Sequence, residues 1–340
     1  MKMNNETKKV RSFSGGRTSA YLCHLMNNKY GVENGETVYM DTGFEHPRTY
    51  DFIRNCNKRF ESQITFLRGD FSLPHGAGVG YNVITVDDIG CDGKPMAEMM
   101  QKYGVPYIGG MFCTDRMKLK PFKKYCDNKY GKSNYETWLG IRIDEPKRLV
   151  GDNKKKELSA YKQLKSDGLS DDLISELYVS ARADIEKLDE AEVSQLSKDL
   201  LKKRILDLEK SGIHYLAEIS DFEKQDVLEW WSMEDFDLGI PEQLGNCVFC
   251  PKKSDLKLAA AQRDEPELYS NWLDMLYSDS VRVDDKTGHW SKMYRGKQSL
   301  EQLIATFDGS TGEEIKARIR GGKMIDTNSC SESCEVFNLE

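Results

Sequence analysis

The sequence has no long apolar run, and this absence argues against a protein that is inserted into a membrane. No stretch of the 340 residues is apolar enough, over the length required, to cross a bilayer. The amino-terminal segment MKMNNETKKVRS has no apolar core of the kind that signal peptides carry. We therefore expect a cytoplasmic protein that has no membrane partner.

Excess positive charge, internal repeats and low-complexity tracts are missing as well. The formal net charge of −7 argues against a protein that coats nucleic acid regardless of its sequence, but it does not exclude a local basic patch. Apolar residues make up 39% of the chain, which is enough to bury a substantial core. Length and composition together indicate one large domain with an addition, or two domains.

Cysteine, in contrast, is plentiful, with nine residues in the chain. Thiols stay reduced in the cytoplasm, so these cysteines indicate metal, cluster or thiol chemistry sooner than a disulfide framework.

A short glycine-containing segment organises the rest of the chain. An apolar strand candidate at residues 10–13 precedes two glycines, and a helix candidate covers residues 20–27. Glycine lets an anion approach the main chain, and the first amides of a helix favour negative charge. The pattern predicts a phosphate cradle without Walker spacing, although a capped turn that binds nothing would read the same way. The predicted cradle consists of Ser14, Gly15, Gly16, Arg17, Thr18 and Ser19.

Charged residues follow two further strand candidates. Asp41 comes directly after a strand at residues 37–40, and Arg142 and Arg148 follow a strand at residues 135–141. The carboxyl ends of parallel strands line the ligand crevice of an open α/β sheet. Asp41 is therefore a candidate for holding Mg²⁺ or a ribose or base, or it simply caps the next helix. The two arginines are expected to meet a phosphate or sulfate.

Cysteines at three places in the chain are candidate metal ligands. Cys113 begins a basic helix, a setting that favours the thiolate form. Cys247 and Cys250 form a Cys-x-x-Cys turn that can place two sulfurs on one metal or cluster, or act as a redox pair. Cys330 and Cys334 lie in a polar tail, where they are a fourth ligand, mobile thiols or incidental.

The element pattern predicts an α/β fold with a mostly parallel sheet flanked by helices. We assign residues 1–150 to a nucleotide-binding core and residues 151–211, which are rich in charge and helix formers, to a helical insertion. Residues 212–255 complete the core and contain the Cys-x-x-Cys turn. Residues 256–340 form a carboxyl-terminal helical region with the cysteine-containing tail.

Six segments occur in an order that resembles a known family. They are SFSGGRTSA, MDTGFEHPRTYDFI, CTDRMKLKPF, LGIRIDEPKR, DVLEWW and GNCVFCP. The chain is similar to the adenylyl-sulfate and phosphoadenylyl-sulfate reductases, which belong to the PP-loop or adenine-nucleotide α-hydrolase superfamily. The insertion and the region after residue 256 look like variants commonly encoded by phages and mobile elements.

The resemblance implies an adenine nucleotide whose phosphates lie at residues 14–19 and whose nucleoside lies near Asp41. Arg142 matches the arginine that meets the charged end of the nucleotide. Cluster-bearing members hold a [4Fe–4S] cluster with a tandem Cys-Cys and a later Cys-x-x-Cys. Here three ligands match, Cys113, Cys247 and Cys250, with Phe112 in the place of the other tandem cysteine. Cys334 or Cys330 would complete the set and close the cluster; if neither is a ligand, one iron is open, as in cluster-dependent tRNA thiolases.

Three hypotheses about function follow from the resemblance. The first is an ATP- and Mg²⁺-dependent sulfur transferase that acts on a nucleic-acid base or a small molecule, with Arg142 in the active site. The second is a sulfonucleotide reductase in which Cys334 attacks sulfur and a thioredoxin-like protein regenerates the enzyme. The tail lacks the reductases' Glu-Cys-Gly-Leu-His motif. The third is a non-catalytic nucleotide-binding protein that holds a structural Zn²⁺.

Overall fold

The computed structural model describes residues 7–60, 64–107, 112–152, 158–283, 294–295 and 297–321. Within these residues, one sheet contains six strands, in the order β4-β3-β2-β1-β5-β6. Their bounds are β1 Lys8–Phe13, β2 Gly35–Asp41, β3 Ile64–Asp70, β4 Gly80–Ile84, β5 Tyr135–Leu139 and β6 Ile213–Tyr215. Only β4, at one edge, pairs antiparallel; the other neighbouring strands pair parallel.

The order of the strands reverses beside β1, and this places the ligand crevice. From β1 the chain proceeds outward to β2 and β3, then returns to add β5 and β6 on the other side of β1. Ligands of open α/β sheets bind outside the carboxyl ends of the strands at such a switch point. The loops that follow β1 and β5 therefore border the expected site.

Helices cover both the sheet and its additions. The helices of the core and insertion are α1 Arg17–Tyr30, α2 Pro47–Arg59, α3 Lys94–Tyr103, α4 Lys120–Tyr130, α5 Pro146–Val150, α6 Ala160–Ser166, α7 Asp171–Ala183, α8 Lys187–Glu190, α9 Gln195–Lys210 and α10 Lys224–Ser232. The carboxyl-terminal helices are α11 Asp255–Asp264, α12 Pro266–Leu276, α13 Leu300–Ala305 and α14 Gly312–Gly321.

The helical insertion packs on the edge of the sheet that contains β5 and β6. Leu201 and Ile205 of α9 are fully buried and belong to the same apolar cluster as Ile213 and Tyr215 of β6. Apolar residues at helical spacing on α9 therefore serve packing, which is the usual role of such a stripe.

The segment that carries Cys113 departs from regular α-helix. Residues Thr114–Leu119 are π-helical and continue directly into α4. One extra residue per turn is the mark of a π-helical insertion, a feature frequent at functional sites. The sequence predicted a helix start here without this irregularity.

The predicted class is confirmed: the fold is α/β with a mostly parallel sheet, a helical insertion and a carboxyl-terminal helical extension. Across the described part of the chain, helices of the length and apolarity required to span a membrane are not found.

Candidate active site

The loop after β1 has the backbone of an anion cradle. Gly15 has a φ of +82°, and a Cβ there would lie 2.9 Å from Cδ1 of Ile53, so only glycine fits. Gly16 is the N-cap of α1 and supplies no side-chain cap for the first amides of the helix. The first amides of a helix and the helix dipole attract anions, so the cradle has the polarity that a phosphate requires.

The hydroxyls predicted for this cradle stabilise the loop itself. Ser19 Oγ donates to the carbonyl of Gly16 at 3.0 Å and accepts from the amide of Ser14 at 3.1 Å. Ser14 Oγ lies 2.9 Å from Ser19 Oγ. These bonds hold the two glycines in the bend and leave the main chain as the surface presented to a ligand.

A partly open cavity adjoins the cradle. One wall is formed by Ser14, Gly15, Gly16 and Arg17, and another by Gly245 and Asn246, which directly precede Cys247. Asn246 has a φ of +56°, which asparagine tolerates better than other residues with a side chain. The predicted phosphate loop and the predicted cysteine turn thus border one cavity.

Arg17 lines the cavity and is held by a residue far along the chain. Its Nε and Nη2 donate to the two carboxylate oxygens of Asp237 at 2.6 and 2.7 Å. Burial favours the neutral acid, but the hydrogen bonds and charge of Arg17 outweigh it, so the pKa of Asp237 lies below its ordinary value. Trp231 Nε1 also donates to the carbonyl of Arg17 at 3.0 Å.

Asp41 lies at the end of β2, as predicted, and is completely buried. Its carboxylate accepts from Arg68 Nε at 2.8 Å, from the Tyr50 hydroxyl at 3.1 Å and from the amide of Gly43 at 3.0 Å. Burial outweighs these bonds and raises the pKa of Asp41. Its predicted contact with the nucleoside remains a prediction.

Arg142 follows β5 and touches the start of α1, so the structure brings two of the predicted motifs together. Its Nη1 donates to Thr18 Oγ1 at 3.0 Å, and its Nε donates to Asp144 at 2.8 Å. Arg148 Nη1 donates to Glu145 at 2.7 Å. Arg142 is buried, and its guanidinium already donates to carboxylates. A phosphate beside it would have to share the guanidinium N–H donors with them.

The Cys-x-x-Cys turn is a rigid, buried element. The amide of Cys250 donates to the carbonyl of Cys247 at 3.1 Å, and the amide of Val248 donates to the carbonyl of Phe44 at 3.3 Å. Lys253 Nζ, itself buried, donates to the carbonyl of Val248 at 2.9 Å. The turn is therefore fixed to the loop after β2.

Cys113 packs against the same apolar cluster as Cys247 and Cys250. Burial and then the charges of these three cysteines raise the pKa of Tyr294, whose hydroxyl is buried and makes no hydrogen bond within the described residues. The three cysteines and Tyr294 belong to one apolar cluster, and thiols suit zinc or an iron–sulfur cluster. No group of three His, Cys, Asp or Glu side chains among the described residues is arranged closely enough to hold a metal ion. Cys330 and Cys334, the fourth-ligand candidates, lie outside the described residues.

Sequence reasoning missed two residues that connect the cavity with the cysteines. Glu45 is buried and lines the cavity, and its Oε1 lies 3.5 Å from Lys118 Nζ and 3.9 Å from Cys247 Sγ. Lys118 belongs to the basic segment that Cys113 begins, and its side chain is buried. The position of Glu45, four residues beyond the end of β2, was a signal that the crevice rule could have used.

The cavity lies where the order of the strands reverses, beside the amino-terminal end of α1. This arrangement is typical of α/β proteins that bind nucleotides. A model of the phosphoadenosine phosphosulfate reductase domain matches residues 8–73, from β1 through β3. The chain is 39% identical over 332 residues to the uncharacterized nin region protein ORF290 of Escherichia phage lambda, an alignment that covers 96% of this chain and 94% of that protein. The chain therefore belongs to the phosphoadenosine phosphosulfate reductase family, in the phage form that it shares with ORF290.

A second relative is more distant. An uncharacterized protein of Methanocaldococcus jannaschii is 27% identical over 114 residues, which cover 34% of this chain and 21% of that protein. No solved structure matches the chain.

Proposed function

We propose that the protein is an enzyme that binds an adenine nucleotide beside Gly15 and Gly16 and uses ATP in iron–sulfur-dependent sulfur transfer. The acceptor in this proposal is a nucleic-acid base or a small molecule. One observation carries the proposal: Gly245 and Asn246, which lead into the cysteine turn, and the glycine bend line the same cavity. A nucleotide bound there would be within reach of chemistry at the thiols.

The chain's own groups give the nucleotide an orientation. Phosphate oxygens would lie against the first amides of α1, where the dipole favours negative charge. Thr18 and Arg142 lie together on one side of this helix start, 3.0 Å apart, and would contact the charged end of the ligand, with Arg148 behind them. Mg²⁺ would enter the site bound to ATP and not to Asp41, because the Asp41 carboxylate is already paired with Arg68.

The proposed cofactor is a [4Fe–4S] cluster held by Cys113, Cys247 and Cys250, with Cys334 as the fourth ligand. The packing of all three cysteines in one apolar cluster supports this assignment. When bound, such a cluster supplies redox and sulfur-binding chemistry. Lys118 and Glu45 would separate it from the phosphates as a charged pair.

Anaerobic purification with iron, sulfide and zinc analysis tests the cofactor. We expect a brown protein, and we expect Cys113→Ser and Cys247→Ser to lose iron. Cys91→Ser is the matched control, because Cys91 is also partly buried but lies outside the cysteine cluster. A colourless protein with stoichiometric zinc would instead favour the non-catalytic scaffold.

Incubation with ATP, Mg²⁺ and pools of RNA or DNA tests the reaction class. We expect acceptor-dependent release of AMP or pyrophosphate and loss of that release in Cys247→Ser. Release in neither pool, from protein that binds ATP and contains iron, contradicts transfer to nucleic acid.

Sulfonucleotide reduction is the second candidate, and the description of the matching domain favours it. It requires a tail cysteine as nucleophile and a thioredoxin-like reductant. Adenylyl sulfate and its 3′-phosphate, supplied with thioredoxin, should then yield sulfite. The variant Cys330→Ser/Cys334→Ser should abolish that product, and unchanged turnover would eliminate this candidate.

A further inference from the structure

The charges that line the cavity are paired. Among its lining residues in the described part of the chain, Arg17 is the single cation, and Glu45 and Glu242 are the two acids. Glu45 has Lys118 at 3.5 Å, and Glu242 has Lys257 at 2.8 Å. Neither partner lysine lines the cavity, so the two ammonium groups offset the acids and add no net positive charge to its surface.

The ion pair of Arg17 is partly exposed on the side of its partner carboxylate. The Arg17 side chain is 11% exposed and that of Asp237 is 37% exposed. Asp237 Oδ1 also accepts from the amide of Leu238 at 2.7 Å, which anchors the carboxylate on its own loop. Leu238 lines the cavity too, so the pair joins the glycine bend to the opposite wall.

A bidentate carboxylate uses the same fork of donors that a phosphate would use. While Asp237 holds Arg17, the cavity lining offers a polyanion main-chain amides, the neutral side chains of Ser14, Thr49 and Asn246, and a neutralised cation. A ligand with several negative charges therefore gains most from replacing the carboxylate, whereas an uncharged nucleoside gains nothing from doing so.

We infer that Asp237 regulates the phosphate affinity of the proposed nucleotide site as an internal competitor: it holds Arg17 until a phosphate group takes its place. This inference rests on the proposed function and deepens it. Asp237 then lowers the affinity for every ligand whose phosphate must displace it, and it leaves the affinity for uncharged nucleosides unchanged. The carboxylate stays on its loop and is released to solvent, where its exposure allows hydration.

Calorimetric titration of ATP and of adenosine into the full-length protein tests this inference. Asp237→Asn keeps the shape and removes the competing charge, so ATP should bind about two- to fivefold tighter, the range of a partly exposed ion pair. Adenosine affinity should not change. Asp235→Asn is the matched control, since Asp235 precedes the same wall and has only a 3.9 Å contact with Arg59.

A double-mutant cycle locates the effect. Arg17→Gln should weaken ATP binding, and adding Asp237→Asn to it should give no further gain, because the carboxylate acts only through Arg17. If Asp237→Asn still tightens ATP binding in the absence of Arg17, or tightens adenosine binding equally, the inference is wrong. Either result would mean that the substitution acts by loosening the cavity wall.

Weaker ATP binding by Asp237→Asn would also overturn the inference, because it would make Asp237 a residue that orients Arg17 toward the phosphate. Thermal unfolding of each variant verifies that it is folded, and Asp237→Ser repeats the test should the asparagine variant unfold. If neither the wild-type protein nor Asp237→Asn binds ATP, the proposed nucleotide site itself fails. If both bind ATP and the asparagine variant gains nothing, only the inference fails.

Discussion

Gly15 links backbone conformation to ligand binding at a single position. Its positive φ disfavours any side chain, and a Cβ there would push against Ile53 and Thr49 of α2, which lies directly behind the bend. The residue therefore ties the shape of the cradle to the packing of the second helix. The cost of backbone strain and the cost of the contact with Ile53 can be separated by comparing Gly15 with Gly76, which has a φ of +94° and open space around it.

We predict that Gly15→Ala lowers the free energy of unfolding by about 2–4 kcal/mol, because strain and overpacking add. Gly76→Ala should lower it by only about 1 kcal/mol, from backbone strain alone. Urea denaturation at one pH measures both. Equal losses in the two variants would show that the contact with Ile53 is relieved without cost.

Local pattern was sufficient to find some site residues and not others. Gly15, Gly16 and Cys247 stand in short motifs whose geometry depends on neighbouring residues, so the sequence predicted them. Asp237 reaches Arg17 across 220 positions, and no local rule connects the two. Glu45 and Lys118 likewise meet only because β2 and the helix of Cys113 converge in the fold.

At the scale of elements, one partly buried acid connects α4 to the sheet. Glu36 on β2 accepts hydrogen bonds from Tyr125 at 2.6 Å and Lys129 at 2.8 Å, and also from Tyr130. Burial alone would raise the pKa of Glu36, but the hydrogen bonds from Lys129, Thr65 and the two tyrosines outweigh it and lower the pKa. The ionised carboxylate thus stabilises the packing of the helix that Cys113 precedes.

The lowered pKa of Glu36 gives a pH-dependent prediction. A carboxylate with a depressed native pKa contributes stability above its unfolded pKa and loses it as pH falls through the native value. Glu36→Gln should therefore cost about 1–3 kcal/mol at neutral pH, and the difference should shrink as pH falls from about 5 toward 3. Urea denaturation across this range measures the effect.

Glu33→Gln is the control for this series, because Glu33 is exposed on the preceding turn. Its difference from the wild-type protein should stay near zero throughout. A penalty for Glu36→Gln that is the same at both ends of the range would contradict the assignment of the ionised form.

For the whole molecule, the carboxyl-terminal helices support the cysteine turn. Trp272 of α12 is 1% exposed and packs edge-on against Phe44, with ring centroids 4.5 Å apart. It also lies 6.4 Å from the ring of Phe249, between the two cysteines of the turn. His46, at the start of α2, contacts Glu265 at 3.0 Å and adds a polar link to the same helices.

We predict that Trp272→Ala lowers the free energy of unfolding by about 3–5 kcal/mol, as expected for a fully buried large aromatic residue. Trp272→Phe should cost less, because it keeps an aromatic ring and removes an indole N–H that has no partner within the described residues. Hydrogen exchange should become faster across residues 245–253 in the alanine variant while β1 and β2 stay protected. Uniform exchange throughout the chain would show that the helices stabilise the whole fold and not this turn.

The parallel sheet and the helical insertion were largely predictable from the sequence, but the packing between distant elements was not. Alternating strand and helix patterns predicted the parallel sheet, and charged, helix-forming residues predicted the insertion. The packing of α9 against β6 and of α12 against the cysteine turn depends on contacts between distant segments, which periodicity alone does not specify. The tail assignments for Cys330 and Cys334 remain predictions.

The π-helical segment Thr114–Leu119 fixes the rotational phase between Cys113 and α4. Each residue of a regular helix advances the chain by about 100° around its axis, so an inserted residue turns everything before it by that angle. Deleting one residue here would restore uninterrupted α-geometry and swing the Cys113 side chain about a quarter of a turn around the axis. The thiol would then leave the apolar cluster that also contains Cys247 and Cys250, although no residue of that cluster had been replaced.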